Sequence, residues 1–391
     1  MIVNSEVISI ITHKSFKFRI YPNRIQTELM NKTFGCCRFI YNSMLSERKS
    51  AYEVLKDDKQ KLWEYKYKTE KDYKNEFEWL KEVESSSLQQ ARIDLSKAYM
   101  NFFKSLSGKS KGNSMFPKFH KKNDKNSYRV MNNNSNIKID FENHKIKIPK
   151  IGWVNYRDSR IFDTSKILSI TVSKSKSDKY FVSILAQFEI SDVEKIKYSN
   201  DLIISGLDMS MEKFYVDHLG NSPEYQRLYR NNEDKIKRLQ KQISRKQKGS
   251  NNRRKAQLKL NKVYEKIANS RKDFIEKLST SLIKNNDVII IESLNMQAMA
   301  KCLKLGKSAN DLGWGLFVSR LEQKMSITDK LLIKADKWFA SSQICHICGY
   351  QNKSLTLKDR EWDCPNCGSH LMRDENAGQN LKQYGLNYLM T

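Results

Sequence analysis

The amino-acid sequence predicts an α+β protein built from several domains. The chain has 391 residues, and at about 100–200 residues per domain this length allows two to four of them. Hydrophobic residues make up 39% of the chain and aromatic residues 10%, which suffices for packed cores and argues against wholesale disorder. Hydrophobic residues recur at helical spacing in some segments and alternate strictly in others, so both helices and strands are expected.

The first half is predicted to contain one strand, then helices, then a group of short strands. Polar and apolar residues alternate from Ser15 to Tyr21, and Pro22 ends that strand. Residues 26–104 are mainly helical, because they contain long stretches without Gly or Pro. Residues 137–189 return to period-two alternation in several short runs, which predicts a barrel or a small sheet.

The second half alternates between apolar segments typical of buried strands and longer segments typical of helices. A module with four cysteines interrupts this pattern near residue 350. The predicted order is strand 202–208, strand 213–220, one or two helices within 225–284, strand 287–292, helix 314–326, strand 331–335, the cysteine module and a last helix 374–384.

The charge balance indicates a polyanionic partner. The protein carries 71 Lys and Arg residues against 44 Asp and Glu, a formal net charge of +27. Such a charge destabilises a compact chain unless something neutralises it, and nucleic acid does so with release of counterions. No apolar run approaches the ~18–20 residues that span a bilayer, and the first residues lack the features of a secretory signal. We therefore expect a cytoplasmic protein that binds nucleic acid and not a membrane.

The basic residues are densest between Arg227 and Lys255, where twelve Lys and Arg residues stand against two acids. A tract this dense suits contact with a phosphate backbone, and a solvated helix face is the ordinary alternative. The candidates for backbone contact are Arg245, Lys246, Lys248, Arg253 and Arg254.

Three acids stand where a carboxylate is costly or unusual. Asp208 and Glu292 each end an apolar strand, and Asp374 begins a helix directly after the cysteine module. Taken singly, they could start a turn, pair with a lysine or cap a helix. Taken together, three converging carboxylates would bind Mg²⁺. Two such ions about 4 Å apart can bind both the attacking and the leaving oxygen when a phosphodiester is cleaved. The order of strand acid, strand acid and helix acid fits an RNase H-like nuclease.

The four cysteines are the strongest local signal in the sequence. Cys345 and Cys348 form one pair and Cys364 and Cys367 another, each with two intervening residues. Without a secretion signal, this spacing favours a metal site over disulfides. Zinc bound by four thiolates has no open coordination position, so we expect one structural Zn²⁺, with iron as a remote alternative.

With these acids and cysteines in this order, the chain resembles the TnpB (OrfB) proteins of small bacterial insertion sequences, which are related to the miniature type V CRISPR effectors. Single pieces of the resemblance are weak, but they occur in order along nearly the whole chain. Besides the cysteine module, the matching segments are Phe18–Pro22, Phe34–Asn42, Trp79–Val83, Leu88–Ala91, Ala98–Phe103, Phe116–Phe119, Ile148–Trp153, Gly206–Asp208, Arg271–Phe274, Ile291–Leu294, Gly313–Trp314, Ser341–Ser342 and Arg373–Ala377.

The resemblance implies an RNA-guided DNA endonuclease that binds a guide RNA from its own locus and a double-stranded target DNA. Its RuvC-like domain would use Asp208, Glu292 and Asp374 to hold two Mg²⁺ ions, with Arg373 and Asn376 supporting them. Protein contacts would read a short motif beside the target, and the family layout points to Ser85, Ser86 and Gln89 for this role. The setting would be bacterial or archaeal and nucleoid-associated.

The family layout also implies a division into domains. Residues 1–22 and 130–200 would form a wedge-like β-barrel, and residues 23–129 a helical recognition lobe. Residues 201–340 and 371–391 would form the RuvC-like nuclease domain, with residues 341–370 inserted into it as a zinc ribbon.

The chain departs from the family pattern at a few positions. Ser210 stands where the family often has Gly, and Leu371 and Met372 replace a frequent His-Asp before the last acid. Gly378 replaces the second residue of a frequent Ala-Ala pair. None of these changes removes a proposed ligand, although Met372 takes away a nearby acid.

Three other functions stay open at the level of sequence. A guided repressor that does not cut would be expected to lack one of the acids. A transposon-encoded DNA strand transferase can use a similar acid triad, and independence from a guide RNA would distinguish it. A zinc-ribbon nucleic-acid binder without enzymatic activity would leave the acids unexplained.

Overall fold

The computed structural model describes residues 9–109, 114–122, 126–163, 166–191, 196, 199–296, 298–299, 311–356 and 358–391. The chain forms two compact units, Met1–Asp192 and Val193–Thr391. Within the described residues, no helix combines the length and the apolar character needed to cross a bilayer.

The first unit contains four α-helices and seven strands among its described residues. The helices are α1 Arg24–Leu55, α2 Lys59–Glu64, α3 Glu70–Glu76 and α4 Ser85–Leu106. The strands are β1 Ser9–Tyr21, β2 Asn126–Met131, β3 Lys138–Asp140, β4 Lys145–Ile148, β5 Gly152–Arg157, β6 Ile167–Lys174 and β7 Tyr180–Ser191.

The second unit combines a four-stranded sheet, a two-stranded ribbon and several helices. Its strands are β8 Ile204–Ser210, β9 Phe214–Asp217, β10 Val288–Glu292, β11 Leu331–Ala335, β12 Glu361–Asp363 and β13 His370–Met372. Its main helices are α5 Glu233–Ser244, α6 Asn251–Asn285, α7 Trp314–Met325 and α8 Arg373–Met390.

The sheet of the first unit is antiparallel, in the order β2-β6-β7-β1-β5-β4-β3. The N-terminal strand β1 lies in its middle, because its whole length pairs with β7 and its last residues pair with β5. Among the described strands, β2 and β3 form the two edges. The short alternating runs of the sequence thus form one sheet.

The helices and the sheet of the first unit share one hydrophobic core. Asn23 begins α1 with a reciprocal pair of hydrogen bonds to Gln26, directly after Pro22 ends the strand pattern. From there α1 buries residues such as Phe34 and Leu45 in the same cluster as Val154 of the sheet. The predicted barrel and helical lobe are therefore parts of one compact unit.

The four-stranded sheet of the second unit has the order β11-β10-β8-β9, with the first three strands parallel and β9 antiparallel to β8. Ile289 and Ile291 of β10 face a cluster that includes residues of α6 and α7. Val288 and Ile290 face the other cluster, which includes Leu381 of α8. Because helices cover both faces, β10 is apolar at successive positions and shows no alternation.

Helices α5 and α6 form an antiparallel hairpin with a small core of its own. Their buried residues recur at helical spacing and pack together, and α6 then continues to the sheet, where Ile275 is fully buried. The buried residues of the hairpin are Ile236, Ile243, Ala256, Leu260 and Ile267.

Candidate active site and metal centre

A cavity of about 520 Å³ in the second unit brings the three predicted acids together. Strands β8 and β10 are parallel, and Leu207 pairs with Ile291, so Asp208 and Glu292 follow at neighbouring positions on one sheet edge. Asp374 reaches the same cavity from the first turn of α8. The carboxyl ends of parallel strands are where open α/β sheets commonly place their binding sites.

Two glycines allow α8 to approach the sheet closely enough to deliver Asp374. A Cβ atom on Gly206 of β8 would lie 2.1 Å from the carbonyl oxygen of Gly378 in α8. A Cβ atom on Gly378 would lie 2.8 Å from the backbone carbon of Asp217. Any larger residue at Gly206 would push α8 away from β8, which carries Asp208, and one at Gly378 would push it away from the end of β9.

The acids form an electrostatically strained cluster. Burial, then Glu292 and Asp374, raise the pKa of Asp208 well above its usual value, and Arg373 opposes this shift. Burial also raises the pKa of Glu292, against the opposing effects of Arg373 and of the Ser341 hydroxyl that donates a hydrogen bond to it. A divalent cation between these carboxylates would offset their repulsion and their loss of hydration.

The three carboxylates offer the ligand type that Mg²⁺ prefers. Mg²⁺ binds oxygen donors and keeps several waters, so carboxylates that share one water-accessible cavity suit it. The residues present therefore fit Mg²⁺.

Four arginines also line the cavity, and sequence reasoning singled out only Arg373. The others are Arg227, Arg230 and Arg360; Arg360 lies 3.8 Å from the Asp374 carboxylate. Arg373 itself donates a hydrogen bond to the Thr356 carbonyl at 3.1 Å. Arg227, Arg230 and Arg360 lie outside the α-helices and strands, so no hydrophobic periodicity could place them. The basic tract that begins at Arg227 was an advance signal for Arg227 and Arg230, and Arg360 had none.

The cysteine module has the geometry of a tetrahedral metal site. The Sγ atoms of Cys345 and Cys367 are 3.7 Å apart and those of Cys348 and Cys364 are 3.5 Å apart. Tetrahedral Zn–S bonds of ~2.3 Å would place the sulfurs ~3.8 Å apart, so the four thiols fit zinc. Each pair is followed by a glycine with φ above +70°, whose N–H bonds back to the first cysteine of its pair.

The pKa values of the thiols differ with their surroundings. Hydrogen bonding with the side chain and backbone of Ser369 lowers the pKa of Cys367 to about 6, which favours the thiolate that a metal requires. Burial raises the pKa of Cys345 to about 11. A bound cation would therefore have to supply the energy that ionises Cys345.

Asn376 has a different position from the one predicted. Its amide is 1% exposed and binds the first cysteine knuckle, accepting a hydrogen bond from the His346 N–H and donating one to the Ile344 carbonyl. Asn380, one turn later, donates to the carbonyls of Ser341 and Ile344. The two amides fasten α8 to the cysteine module rather than supporting metal ligands in the cavity.

The three candidates for reading DNA lie on the first two turns of α4 and differ in exposure. Ser86 is 4% exposed, and its hydroxyl accepts a hydrogen bond from the Met131 N–H of β2. Its side chain is therefore committed to the fold, which corrects its assignment as a base-reading residue. Ser85 and Gln89 are exposed.

The basic candidates lie around the connection between α5 and α6. Arg245, Lys248 and Arg254 are exposed, and Lys246 is half-buried. Arg253 is half-buried and donates hydrogen bonds to the carbonyls of Ile243 and Lys246, at 2.8 and 2.9 Å. Arg253 thus closes the end of α5 and stabilises the hairpin.

Three protein-family models match this chain. The OrfB family of insertion-sequence proteins, described as "Probable transposase", matches residues 191–303. Its companion "Helix-turn-helix domain" matches residues 12–56, which here form β1 and the single long helix α1. The "Cas12f1-like, TNB domain" matches residues 314–381, which include all four cysteines and Asp374.

Two curated relatives match almost the whole chain. A "Putative RNA-guided DNA endonuclease" of Streptomyces pristinaespiralis is 30% identical over 95% of this chain and 89% of the relative. The "Putative RNA-guided DNA endonuclease InsQ" of Escherichia coli is also 30% identical, over 95% of this chain and 92% of the relative.

The fold is similar to that of a solved Cas12f1, taken from a Cas12f1–sgRNA–target DNA complex. That match has a TM-score of 0.53 at 13% sequence identity and covers 95% of this chain and 99% of Cas12f1. The similarity in sequence to the curated relatives extends over nearly all of both chains, and the matched family segments occur in the expected order. The chain therefore belongs to the TnpB (OrfB) family.

Proposed function

We propose that this protein is an RNA-guided DNA endonuclease that cuts guide-complementary DNA in the cavity of its second unit. The observation that carries the proposal is the convergence of Asp208, Glu292 and Asp374 at the carboxyl edge of the parallel strands. The relatives named as endonucleases and the Cas12f1 complex with its RNA and DNA suggest the partners. The guide RNA would come from the protein's own locus, and the target would be double-stranded DNA.

The three carboxylates would hold Mg²⁺ in a RuvC-like, RNase H-like domain. Mg²⁺ held there would supply Lewis-acid stabilisation of the phosphodiester and would lower the pKa of a bound water. The Ser341 hydroxyl orients the Glu292 carboxylate through its hydrogen bond, and Arg373 lowers the cost of ionising both strand acids. The close approach of α8 to β8 fixes the third carboxylate relative to the first.

The remaining parts of the chain receive supporting roles in this proposal. The four cysteines bind one structural Zn²⁺ in a ribbon spanning residues 341–370, inserted between residues 201–340 and 371–391 of the nuclease domain. Residues 1–22 and 130–200 serve as the wedge, and residues 23–129 as the recognition lobe. Ser85 and Gln89 read the flanking motif, and Arg245, Lys248 and Arg254 contact the nucleic-acid backbone.

The decisive experiment compares Asp208→Ala with the wild-type complex on a DNA that matches the bound guide. Loss of one metal-binding carboxylate removes several kcal/mol of transition-state stabilisation, so cleavage falls by roughly a thousandfold or more. Guide RNA and target binding persist, because base pairing and distant contacts provide them. Asp273→Asn is the matched control, since that acid is exposed on α6. Wild-type cleavage rates in Asp208→Ala would contradict the assignment of the site.

A DNA strand transferase is the second candidate, and the description of the matched family as a transposase favours it. A transferase joins DNA ends that it recognises by sequence, whereas a guided nuclease follows the RNA. Exchanging the guide segment of the bound RNA separates the two functions. We expect the cleaved sequence to change with the guide; an unchanged cleavage site, or strand joining without RNA, would favour the transferase.

A further inference from the structure

A buried ion pair stands on the wall of the cavity, because its acid, Asp311, lines the cavity beside the three acids assigned to the metal. Asp311 is 4% exposed, and its carboxylate lies 3.1 Å from the guanidinium of Arg271 in α6. Removing two charges from water is expensive, so such a pair persists where it is well bonded, and it then fixes the segments that carry it. Both partners adjoin or lie within sequence segments that mark the family, Arg271–Phe274 and Gly313–Trp314.

The local geometry is built around this pair. Gly313 has φ +71°, and a Cβ atom there would lie 2.8 Å from the Cδ atom of Arg271. The next residue, Trp314, is 2% exposed and packs against the ring of Phe214 at a centroid distance of 5.5 Å. The start of α7 is thus fixed in the core while Asp311 points at a neighbouring segment.

That neighbouring segment is the one leading into α5. The Asp311 carboxylate accepts hydrogen bonds from the backbone N–H groups of Tyr229, at 2.9 Å, and Arg230, at 3.4 Å. A carboxylate that binds two successive N–H groups holds a backbone turn as a helix-capping residue does. Here the capping group comes from about 80 residues away in sequence, so it sets the position of the turn in the unit.

The turn held in this way carries two of the arginines on the cavity wall. Arg227 and Arg230 line the cavity together with Asp208, Glu292 and Asp374. Arg227 also pairs with Glu212 at 3.3 Å, but both side chains are substantially exposed, at 41% and 72%. An exposed pair of this kind contributes at most about 1 kcal/mol, so a phosphate could replace Glu212 as the partner of Arg227 at little cost.

We propose that Arg227 and Arg230 bind phosphate oxygens of the DNA strand being cut, and that the Asp311–Arg271 pair is the positioning device that holds them at the cavity. A strand entering a cavity lined by carboxylates needs cationic partners, and the guanidinium fork matches phosphate oxygens in geometry. This inference rests on the proposed function, because it specifies how the same cavity engages its substrate.

Chemical footprinting of arginine tests the contacts without depending on cleavage. The protein–RNA complex is treated with phenylglyoxal with and without guide-matched DNA, in Ca²⁺ to prevent cutting, and modified peptides are quantified by mass spectrometry. We expect target DNA to reduce modification of Arg227 and Arg230 at least severalfold. Arg320 is the control, because it is a half-buried, ion-paired arginine of the same unit that pairs with Glu276. Equal reactivity of Arg227 and Arg230 with and without DNA would overturn the proposal.

The positioning role is tested with Asp311→Asn and Arg271→Lys in the same footprinting assay. We expect the DNA-dependent protection of Arg227 and Arg230 to disappear in Asp311→Asn while zinc content and guide affinity stay at wild-type values. If Asp311→Asn does not fold, Arg271→Lys is measured in its place, because it retains a buried positive charge. We expect the same loss of DNA-dependent protection. Full protection in a folded variant would contradict the positioning role.

Single-turnover cleavage connects the contacts to function. We expect Arg227→Ala and Arg230→Ala each to lower the cleavage rate of bound target by roughly ten- to a hundredfold, the range for a lost charge-assisted hydrogen bond. Arg227→Lys should recover part of this loss, since it keeps the charge but not the fork. Unchanged rates in both alanine variants would count against the contacts.

The two assays together separate this inference from the proposed function. DNA-dependent protection of Arg227 and Arg230 without any cleavage by the wild type would refute the nuclease function but would still support the phosphate contacts.

Discussion

At the scale of single residues, the acid cluster carries an electrostatic cost. Burial, then Glu292 and Asp374, raise the pKa of Asp208 well above its usual value. Repulsion of this kind is a cost that the folded protein carries whenever no cation offsets it. The proposed metal site therefore weakens the second unit when no metal is bound.

Removing one of these charges should raise the stability of the metal-free protein. In a metal-chelated sample, Asp208→Asn should increase the stability of the second unit by about 1 kcal/mol, because the amide removes one of the repelling charges. The corresponding rise in melting temperature is about 2–4 °C, measurable by scanning calorimetry. The exposed Asp273→Asn should leave the melting temperature unchanged. A lower melting temperature for Asp208→Asn would mean that the carboxylates do not repel one another.

The acids could be predicted from sequence, and the amide Asn376 could not be placed correctly. Asp208 and Glu292 end apolar strands, so parallel pairing in register brings them to one edge without further information. Asn376 sits two residues after an acid on the same helix, and the 3.6-residue period turns it toward the cysteine module. The prediction that Ser86 reads DNA was wrong for the same reason, because one position along a helix separates an exposed side chain from a buried one.

At the scale of elements, α8 depends on small residues for its position. Gly378→Ala should destabilise the second unit by about 1–3 kcal/mol, because the added methyl group meets the backbone of Asp217 and His218. We also expect a higher Mg²⁺ concentration for half-maximal cleavage, since α8 would carry Asp374 outward. Thermal melts and a Mg²⁺ titration measure the two effects.

Gly315 provides the matched control for that substitution. It lies in helix α7, and a Cβ atom there would have no neighbour within 4 Å. Gly315→Ala should therefore be neutral or stabilise the unit by up to about 1 kcal/mol. Equal effects of the two substitutions would show that the close approach of α8 to the sheet is unimportant.

The cysteine module yields a second element-scale prediction. Removing the metal with a chelator, or replacing Cys364 by Ser, should unfold the module and expose Trp362, which is 7% exposed within its small core. The emission of Trp362 would shift to the red, and cleavage would fall because Asn376 and Asn380 lose their partners in the module. His370→Ala should retain the metal, since four thiolates complete a zinc site. Metal loss in His370→Ala would contradict a ligand set made only of cysteine.

The hairpin of α5 and α6 carries one arginine with a structural role and one that we propose contacts nucleic acid. Arg253→Ala should lower stability by about 1–2 kcal/mol through loss of its hydrogen bonds to the end of α5. Arg254→Ala should leave stability unchanged and weaken RNA binding, lowering the log–log salt slope by about 0.7–0.9 if one phosphate contact is lost. Melting curves and salt-dependent affinities distinguish the two. Identical behaviour of both variants would rule out this division of roles.

At the scale of the whole molecule, the sequence predicts the elements more directly than it predicts which of them pack together. Strands and helices are present close to the predicted segments because hydrophobic periodicity reports burial directly. Which elements pack together in the first unit is harder to predict from sequence, because periodicity shows that a face is buried but not which element buries it. Phe34 of α1 and Val154 of β5 belong to one core although 120 residues separate them.

The long strand β1 at the centre of the first sheet has a consequence for folding kinetics. Its main partner β7 begins at Tyr180, almost 160 residues after β1 ends at Tyr21. At about 5–20 residues per second, synthesis of that interval takes on the order of ten to thirty seconds. During this time β1 has no strand to pair with along its length, and closing so long a loop is slow in any case. Until β7 emerges from the ribosome, the apolar residues of β1 can therefore pack only against the helices that follow it, which share its core in the folded unit.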